Sequence, residues 1–206
     1  MPSKKKAKPD GRALRRVETR EKIRAAAWDL FTERGFDDTT TEAIAKRAGV
    51  ASGTVFVHAS DKEDLLFLVM HDRLSATVEE GFRTMPDGPL LEQLLHIFGG
   101  LYRMYAQHPD VAAAFVKSLP GAKGPNAQGM TTMTFGFLFR LSLLVADAQR
   151  RGEVAPDVDG LVAAQNFFAS YFMALLGWLG GHATLEQALD PALRQALALQ
   201  IRGLRR

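Results

Sequence analysis

Three observations predict an all-α chain of about nine helices. Apolar residues recur at helical spacing along most of the 206 residues, as in Ile23, Ala26, Ala27, Leu30 and Phe31. No stretch shows the strict apolar–polar alternation of a half-buried strand. Glycine, proline and capping residues punctuate the pattern where helices would start and stop. With 47% hydrophobic and 24% charged residues, the composition is that of a globular protein.

The elements follow in order. Residues 1–12 combine Lys, Pro and Gly with few apolar groups and are expected to form a disordered basic arm. A first helix is predicted from Val17 to Arg34, closed by Gly35. Thr39-Thr40-Thr41 offers an N-cap for a short helix Glu42–Ala48, which Gly49 closes. A second short helix is expected over Ser52–Val57. Ser60-Asp61-Lys62-Glu63 has the spacing of a capping box and opens a long helix, Lys62 to about Arg83. Pro86-Asp87-Gly88-Pro89 breaks it. Helices are then expected over Leu90–Gln107 and, with Pro109 at its first position, Pro109–Leu119. Residues 120–129 read as the clearest loop, followed by helices Met130–Arg151, Val158–Gly180 and Leu185–Leu204. This divides the chain into the arm at 1–12, a unit of short helices at 13–62, and a larger helical unit at 63–206.

Charge is concentrated at one end. Residues 1–24 hold ten Lys/Arg (Lys4, Lys5, Lys6, Lys8, Arg12, Arg15, Arg16, Arg20, Lys22, Arg24) against Asp10, Glu18 and Glu21, although the chain's net charge is only +3. A basic end on a slightly acidic body points to a polyanion partner there, or to a solvated tail. No apolar run follows Lys4-Lys5-Lys6, so the N-terminus is not a secretory signal. The chain has no cysteine, which fits a reducing, cytoplasmic compartment and leaves no thiolate metal ligand.

The segment Thr41–His58 carries the chemistry. Glu42–Ala48, the turn Gly49-Val50-Ala51 and Ser52–Val57 have the lengths of a helix-turn-helix. Ile44, Val50 and Val55 would fill its core against Ile23, Leu30, Phe31 and Leu65. The second helix is long enough to lay its N-terminal side chains in a major groove about 12 Å wide.

Residues 19–66 resemble the DNA-binding region of the TetR family of transcriptional regulators. The resemblance is carried by Thr19-Arg20-Glu21-Lys22-Ile23, Leu30-Phe31-Thr32-Glu33-Arg34-Gly35-Phe36 and Thr39-Thr40-Thr41-Glu42-Ala43-Ile44-Ala45. It continues through Arg47-Ala48-Gly49-Val50, Ser52-Gly53-Thr54, His58 and Lys62-Glu63-Asp64-Leu65-Leu66. It implies that Thr40 and Thr41 meet a phosphate, that Ser52, Gly53 and Thr54 face base edges, and that His58 and Lys62 contact the DNA backbone. The chain departs from the family where it commonly has tyrosines. Phe56 and Val57 stand there instead, offering apolar contact to a thymine methyl but no hydroxyl to a phosphate. Ala51 replaces a usual Ser at the cap, and Ala59 a usual aromatic. Lys4 to Arg16 would then supply charge along the minor groove or backbone.

Beyond residue 85 two readings compete for the apolar side chains, a packed core and a cavity for a small apolar or aromatic effector. The cavity candidates are Phe67, Met70, His71, Leu74, Phe98, Tyr102, Tyr105, Phe115, Met130, Met133, Phe137, Phe168, Tyr171 and Phe172. Gly160 to Leu185 contains no Asp, Glu, Lys or Arg. Its length suits a membrane span. Gln165, Asn166, Ser170 and the absence of flanking basic clusters favour a helix buried partly by a second subunit. In the TetR family the last two long helices pair across a dimer, so Val158–Gly180 and Leu185–Leu204 inherit that role.

No nucleophile elbow, phosphate-binding glycine loop or dinucleotide fingerprint is present, and the five histidines lack metal-ligand spacing. Neither an enzyme nor a bound cofactor or metal is therefore expected. The expected function is a homodimeric repressor that binds a palindromic double-stranded operator and is released by a small apolar effector. Two alternatives stay open: a DNA-binding regulator without an effector, and a helical carrier with a vestigial DNA-binding unit.

Overall fold

The first helix, α1 (Gly11–Arg34), begins six residues before its expected start. Ala13, Leu14, Arg15 and Arg16 are strong helix formers, and no breaker intervenes before Gly11. The computed structural model describes residues 11–205, so most of the basic arm lies outside the described residues. The inward stripe of α1 is the expected one: Ile23, Ala26, Ala27, Leu30 and Phe31 are buried.

Gly35, at φ +85°, turns the chain out of α1. The buried Thr39 then ties the turn down, its hydroxyl lying 2.7 Å from the Gly35 carbonyl and 3.1 Å from that of Leu30. Helix α2 (Thr41–Ala48) is capped by Thr40, whose hydroxyl accepts the Ala43 N–H at 3.1 Å. Gly49 closes it in the left-handed conformation, φ +67°, which favours glycine. Helix α3 (Ser52–Val55) is shorter than expected: Phe56 is its C-cap and residues 56–58 form a turn.

The long helix α4 (Lys62–Arg83) has the expected bounds but a different cap. Asp61, not Ser60, is the N-cap and accepts the Asp64 N–H at 2.7 Å. Asp64 reaches back to the Ser60 N–H at 3.1 Å. The cap is thus displaced by one residue and the expected capping box does not form, because a carboxylate at Asp61 outcompetes a hydroxyl already 3.2 Å from it.

Helices α5 (Leu90–Ala106) and α6 (Pro109–Ser118) follow the sequence expectation. Helix α7 (Pro125–Arg150) does not: it starts five residues early, inside the expected loop. Helix α8 (Gly160–Leu179) begins behind Asp159, which caps the Leu161 and Val162 N–H groups. The expected last helix is divided into α9 (Leu185–Gln187) and α10 (Arg194–Gly203). Between them Asp190 is extended (φ −140°, ψ 118°), as the residue before a proline prefers, and Pro191 cannot continue the α9 hydrogen bonds.

No strand occurs among the described residues. A continuous buried core runs from Ile23 in α1 to Ile201 in α10. Helix α4 is its spine: it packs on α1 at one end and on α5, α6 and α7 along its length. The chain is therefore a helix-turn-helix unit (α1–α3) carried on a larger helical C-terminal domain, with α4 belonging to both.

Candidate DNA interface and ligand cavity

The helix-turn-helix presents one exposed tip. Ile44 and Val55 are buried and Val50 is half-buried, holding α3 against α2 and α1. That leaves Ser52 and Gly53 exposed and Thr54 half-exposed. A Cβ placed on Gly53 would meet no atom within 4 Å, so another backbone has room to approach there. Phe56 and Val57 are 54% and 62% exposed, apolar groups held outward by a turn that buries Val55. Thr40 is exposed and Thr41 half-exposed at the start of α2, where two backbone N–H groups are free for an anion.

Two other expected contacts sit differently. His58 is buried beneath the tip, with its carbonyl accepting from the Asn126 side chain at 2.9 Å. Burial, with Arg20 and Arg16 nearby, holds its pKa below the usual 6.5. Lys62 donates to the Phe36 and Asp37 carbonyls at 2.9 and 3.1 Å, and its ammonium lies 4.4 Å from the Phe36 ring centroid. An ammonium has three N–H donors, so one remains.

The burial of His58 has a pH consequence. The unfolded chain takes up a proton near pH 6.5, whereas the folded chain resists it, so stability is complete above that pH and falls as pH drops through it. The melting temperature is expected to decrease between pH 7.5 and 5.5. His58→Gln should show a smaller decrease over the same range; an equal decrease would reject the assignment.

The C-terminal domain encloses an apolar cavity of about 70 Å³ between α4, α5, α6, α7 and α8. Of the expected residues, Leu74, Tyr105, Phe115, Met130, Met133, Phe137, Phe168, Tyr171 and Phe172 line it. Val78, Leu101, Leu119 and Thr134 also line it and were not anticipated; Val78 lies one helical turn past Leu74, a spacing that points to it.

Five candidates are packed elsewhere. Phe67 is buried edge-on against Phe115, 5.5 Å between centroids. Phe98 stacks on Tyr171 at 4.8 Å, and Tyr102 donates to the Tyr171 carbonyl at 3.1 Å. These support the wall from behind. Met70 borders a separate void of about 10 Å³ beside Trp28 and His108. His71 faces Asp72 at 3.3 Å and is part-exposed.

Charged residues are absent from the cavity wall. Burial pushes the Tyr105 hydroxyl up to about 12 and raises Tyr171 well above its usual value, so both are neutral hydrogen-bonding groups. With Thr134 they are the wall's polar side chains. Such a wall suits an apolar body, and any charged portion of a ligand must stay outside it.

On the outer surface, α7 exposes Phe135, Phe139 and Leu143, spaced along one face. Helix α8 exposes Leu161, Val162, Met173 and Leu176, while α10 contributes Leu199. Helices α7 and α8 are each long and apolar enough to cross a membrane by length and composition. Aromatic side chains at such exposure are also what a subunit interface leaves uncovered in one chain.

A helix-turn-helix tip on a helical domain with an apolar cavity defines a DNA-binding regulator. Residues 23–69 match the family of bacterial regulatory proteins described as the tetR family. The chain is 22% identical over 155 residues to the fatty acid metabolism regulator protein of Bacillus subtilis, covering 75% of this chain and 80% of that protein. It is 25% identical to the transcriptional regulator UidR of Escherichia coli, covering 68% and 71% of the two chains. Its fold is similar to that of Thermus thermophilus FadR, a TetR-family repressor solved with lauroyl-CoA. There the TM-score is 0.69 at 26% identity, over 90% of this chain and 92% of that one. Residues 23–69 thus form a DNA-binding domain of the tetR family. The relatives named above are regulators of metabolism and of transcription.

Proposed function

We propose that this chain is a repressor that binds a palindromic operator as a homodimer and is released by a long-chain acyl thioester. The observation that carries the reading is the charge-free cavity walled by aromatic and methionine side chains, part of whose wall is α4. Leu74 and Val78 of α4 face the cavity, while its first turn holds Lys62 and Asp64 beside the DNA-binding unit. The relatives that sense fatty acid metabolism or hold lauroyl-CoA support the chemical class.

The cavity's size supports a mechanism. Ligand pockets typically reach about 300–1,000 Å³. A space of about 70 Å³ must open to admit an acyl chain. Met130 and Met133 can yield, but α4 and α7 have to separate or tilt. Tilting α4 changes the spacing of the two DNA-reading tips. By linkage, the acyl thioester binds the DNA-free state more tightly and DNA weakens its binding equally, with a coupling of about 1–3 kcal/mol.

On DNA, Ser52, Gly53 and Thr54 face base edges, and Phe56 and Val57 press on thymine methyls. Thr40, Thr41 and the remaining donor of Lys62 hold phosphates, while His58 supports the tip from inside. The basic arm adds backbone contacts, and the protein works in the cytoplasm. One rival draws on the same small cavity: a regulator with no effector, whose void is only a packing defect.

Fragments selected from the source genome, followed by titration with lauroyl-CoA and with coenzyme A alone, test the proposal. A palindromic site should be enriched and then released by lauroyl-CoA but not by coenzyme A. A palindrome that lauroyl-CoA does not release would reject the acyl thioester and favour the rival. Absence of any enriched site would reject the operator itself.

A further inference from the structure

The early start of α7 is caused by a residue far away in sequence. Its first turn buries Asn126, which is 5% exposed, and three elements converge on that side chain. The Asn126 amide donates to the His58 carbonyl and to Asp64, both at 2.9 Å, and its oxygen accepts from Arg20 of α1 at 3.0 Å. The Asp64 carboxylate, 0% exposed, accepts the Asn126 and Ala127 N–H groups at 3.0 and 3.1 Å. A residue of α4 thus caps α7. Gly124 completes the fit: at φ +107°, a Cβ there would lie 2.5 Å from the Asp64 carboxylate and 2.6 Å from the Ser60 hydroxyl.

We propose that Asn126 is the positioning residue through which the cavity helix α7 sets the orientation of the helix-turn-helix unit. The chemistry is specific to an amide. It donates twice and accepts at once; an aspartate loses the donors, and an alanine loses everything. Because the joint is buried, its hydrogen bonds are directional and are costly to leave half-made. The same helix carries Met130 one turn later and Met133, Thr134 and Phe137 further on, all in the cavity wall. A displacement of α7 by an occupant therefore reaches Asn126 within roughly 6 to 16 Å of helix. There it acts on α1, on the carbonyl beneath the DNA-reading tip, and on the start of α4. This is a second lever beside the tilt of α4, and its link to an effector rests on the proposed function above.

The chain has no cysteine, so labels can be placed freely. Lys46→Cys on α2 and Asp157→Cys before α8 are exposed sites for spin labels, in dimers carrying one labelled chain. The unliganded wild type should give one narrow distance distribution. Asn126→Ala should broaden or shift it, with operator affinity falling roughly tenfold. Arg20→Ala, at an exposed residue that keeps the fold, should move the distribution in the same direction, less far. Leu197→Ala, a buried change in α10, destabilises the chain without touching the joint and should leave the distance alone.

Folded Asn126→Ala with the wild-type distribution overturns the proposal; if that variant does not fold, a wild-type distribution in Arg20→Ala overturns it. Lauroyl-CoA added to the wild type should reproduce the Asn126→Ala distribution. If it does not, while the variants still shift, the effector assignment fails and the joint stands.

Discussion

Phe139→Glu is expected to give a monomer of 22.6 kDa that binds its operator at least about 100-fold more weakly than the wild type. Phe139 is 61% exposed at the middle of the apolar face of α7, between Phe135 and Leu143. In a two-fold dimer the same patch meets itself, so a carboxylate there is desolvated and placed near its own copy. Each half-site alone forfeits the gain of tethering two reading units, which is worth about 10²- to 10⁴-fold. Sedimentation and operator titration read the two effects separately. Leu199→Glu, on α10, then asks how far the interface extends. If Leu199→Glu alone dissociates the dimer, the interface runs over α8 and α10 as the last two long helices would suggest. An undiminished dimer in Phe139→Glu would remove α7 from it.

Phe137→Ala is expected to lower stability by about 3–5 kcal/mol, roughly 10 °C or more in melting temperature for a chain of this size. Its ring is 6% exposed and makes edge contacts with Phe82, Phe98 and Phe168 at 6.1, 6.2 and 6.3 Å between centroids. It also lines the cavity, so truncation joins the lost ring volume to a space already there. Close-packed walls of three other rings cannot relax fully into it. Benzene should therefore raise the melting temperature of the variant while leaving the wild type nearly unchanged, by preferential binding to the folded state. A loss below about 1 kcal/mol with no benzene effect would mean that the walls collapse, and that the cavity is not a binding site in waiting.

Much of the helix-turn-helix was legible because its determinants are local. Thr40 caps α2, Gly49 ends it in a conformation that favours glycine, and Ile44 and Val55 fall on the inward face by helical spacing alone. The exposed Phe56 and Val57 follow from the burial of Val55 one position earlier. The cavity was legible only in part. Phe168, Tyr171 and Phe172 face it, whereas Phe67, Phe98 and Tyr102 are equally aromatic and stand behind the wall. Helical phase says which face of a helix is inward; it does not say which inward face meets a void, since that depends on the volumes of residues on four other helices.

The sequence by itself determined the helix-turn-helix and the all-helical plan, because short-range caps and periodicity suffice for each; the resemblance to the TetR family rests instead on the motifs of residues 19–66. Only the tertiary structure decided where α7 begins and what its first turn does. Pro125 and Asn126 lie in a stretch rich in Gly and Pro, with no local residue to satisfy their helix start. A buried carboxylate some sixty residues earlier, on Asp64, satisfies it instead. An acceptor brought in by packing outweighs local loop preference, since the unpaired N–H groups of a buried helix end would otherwise be left without a partner.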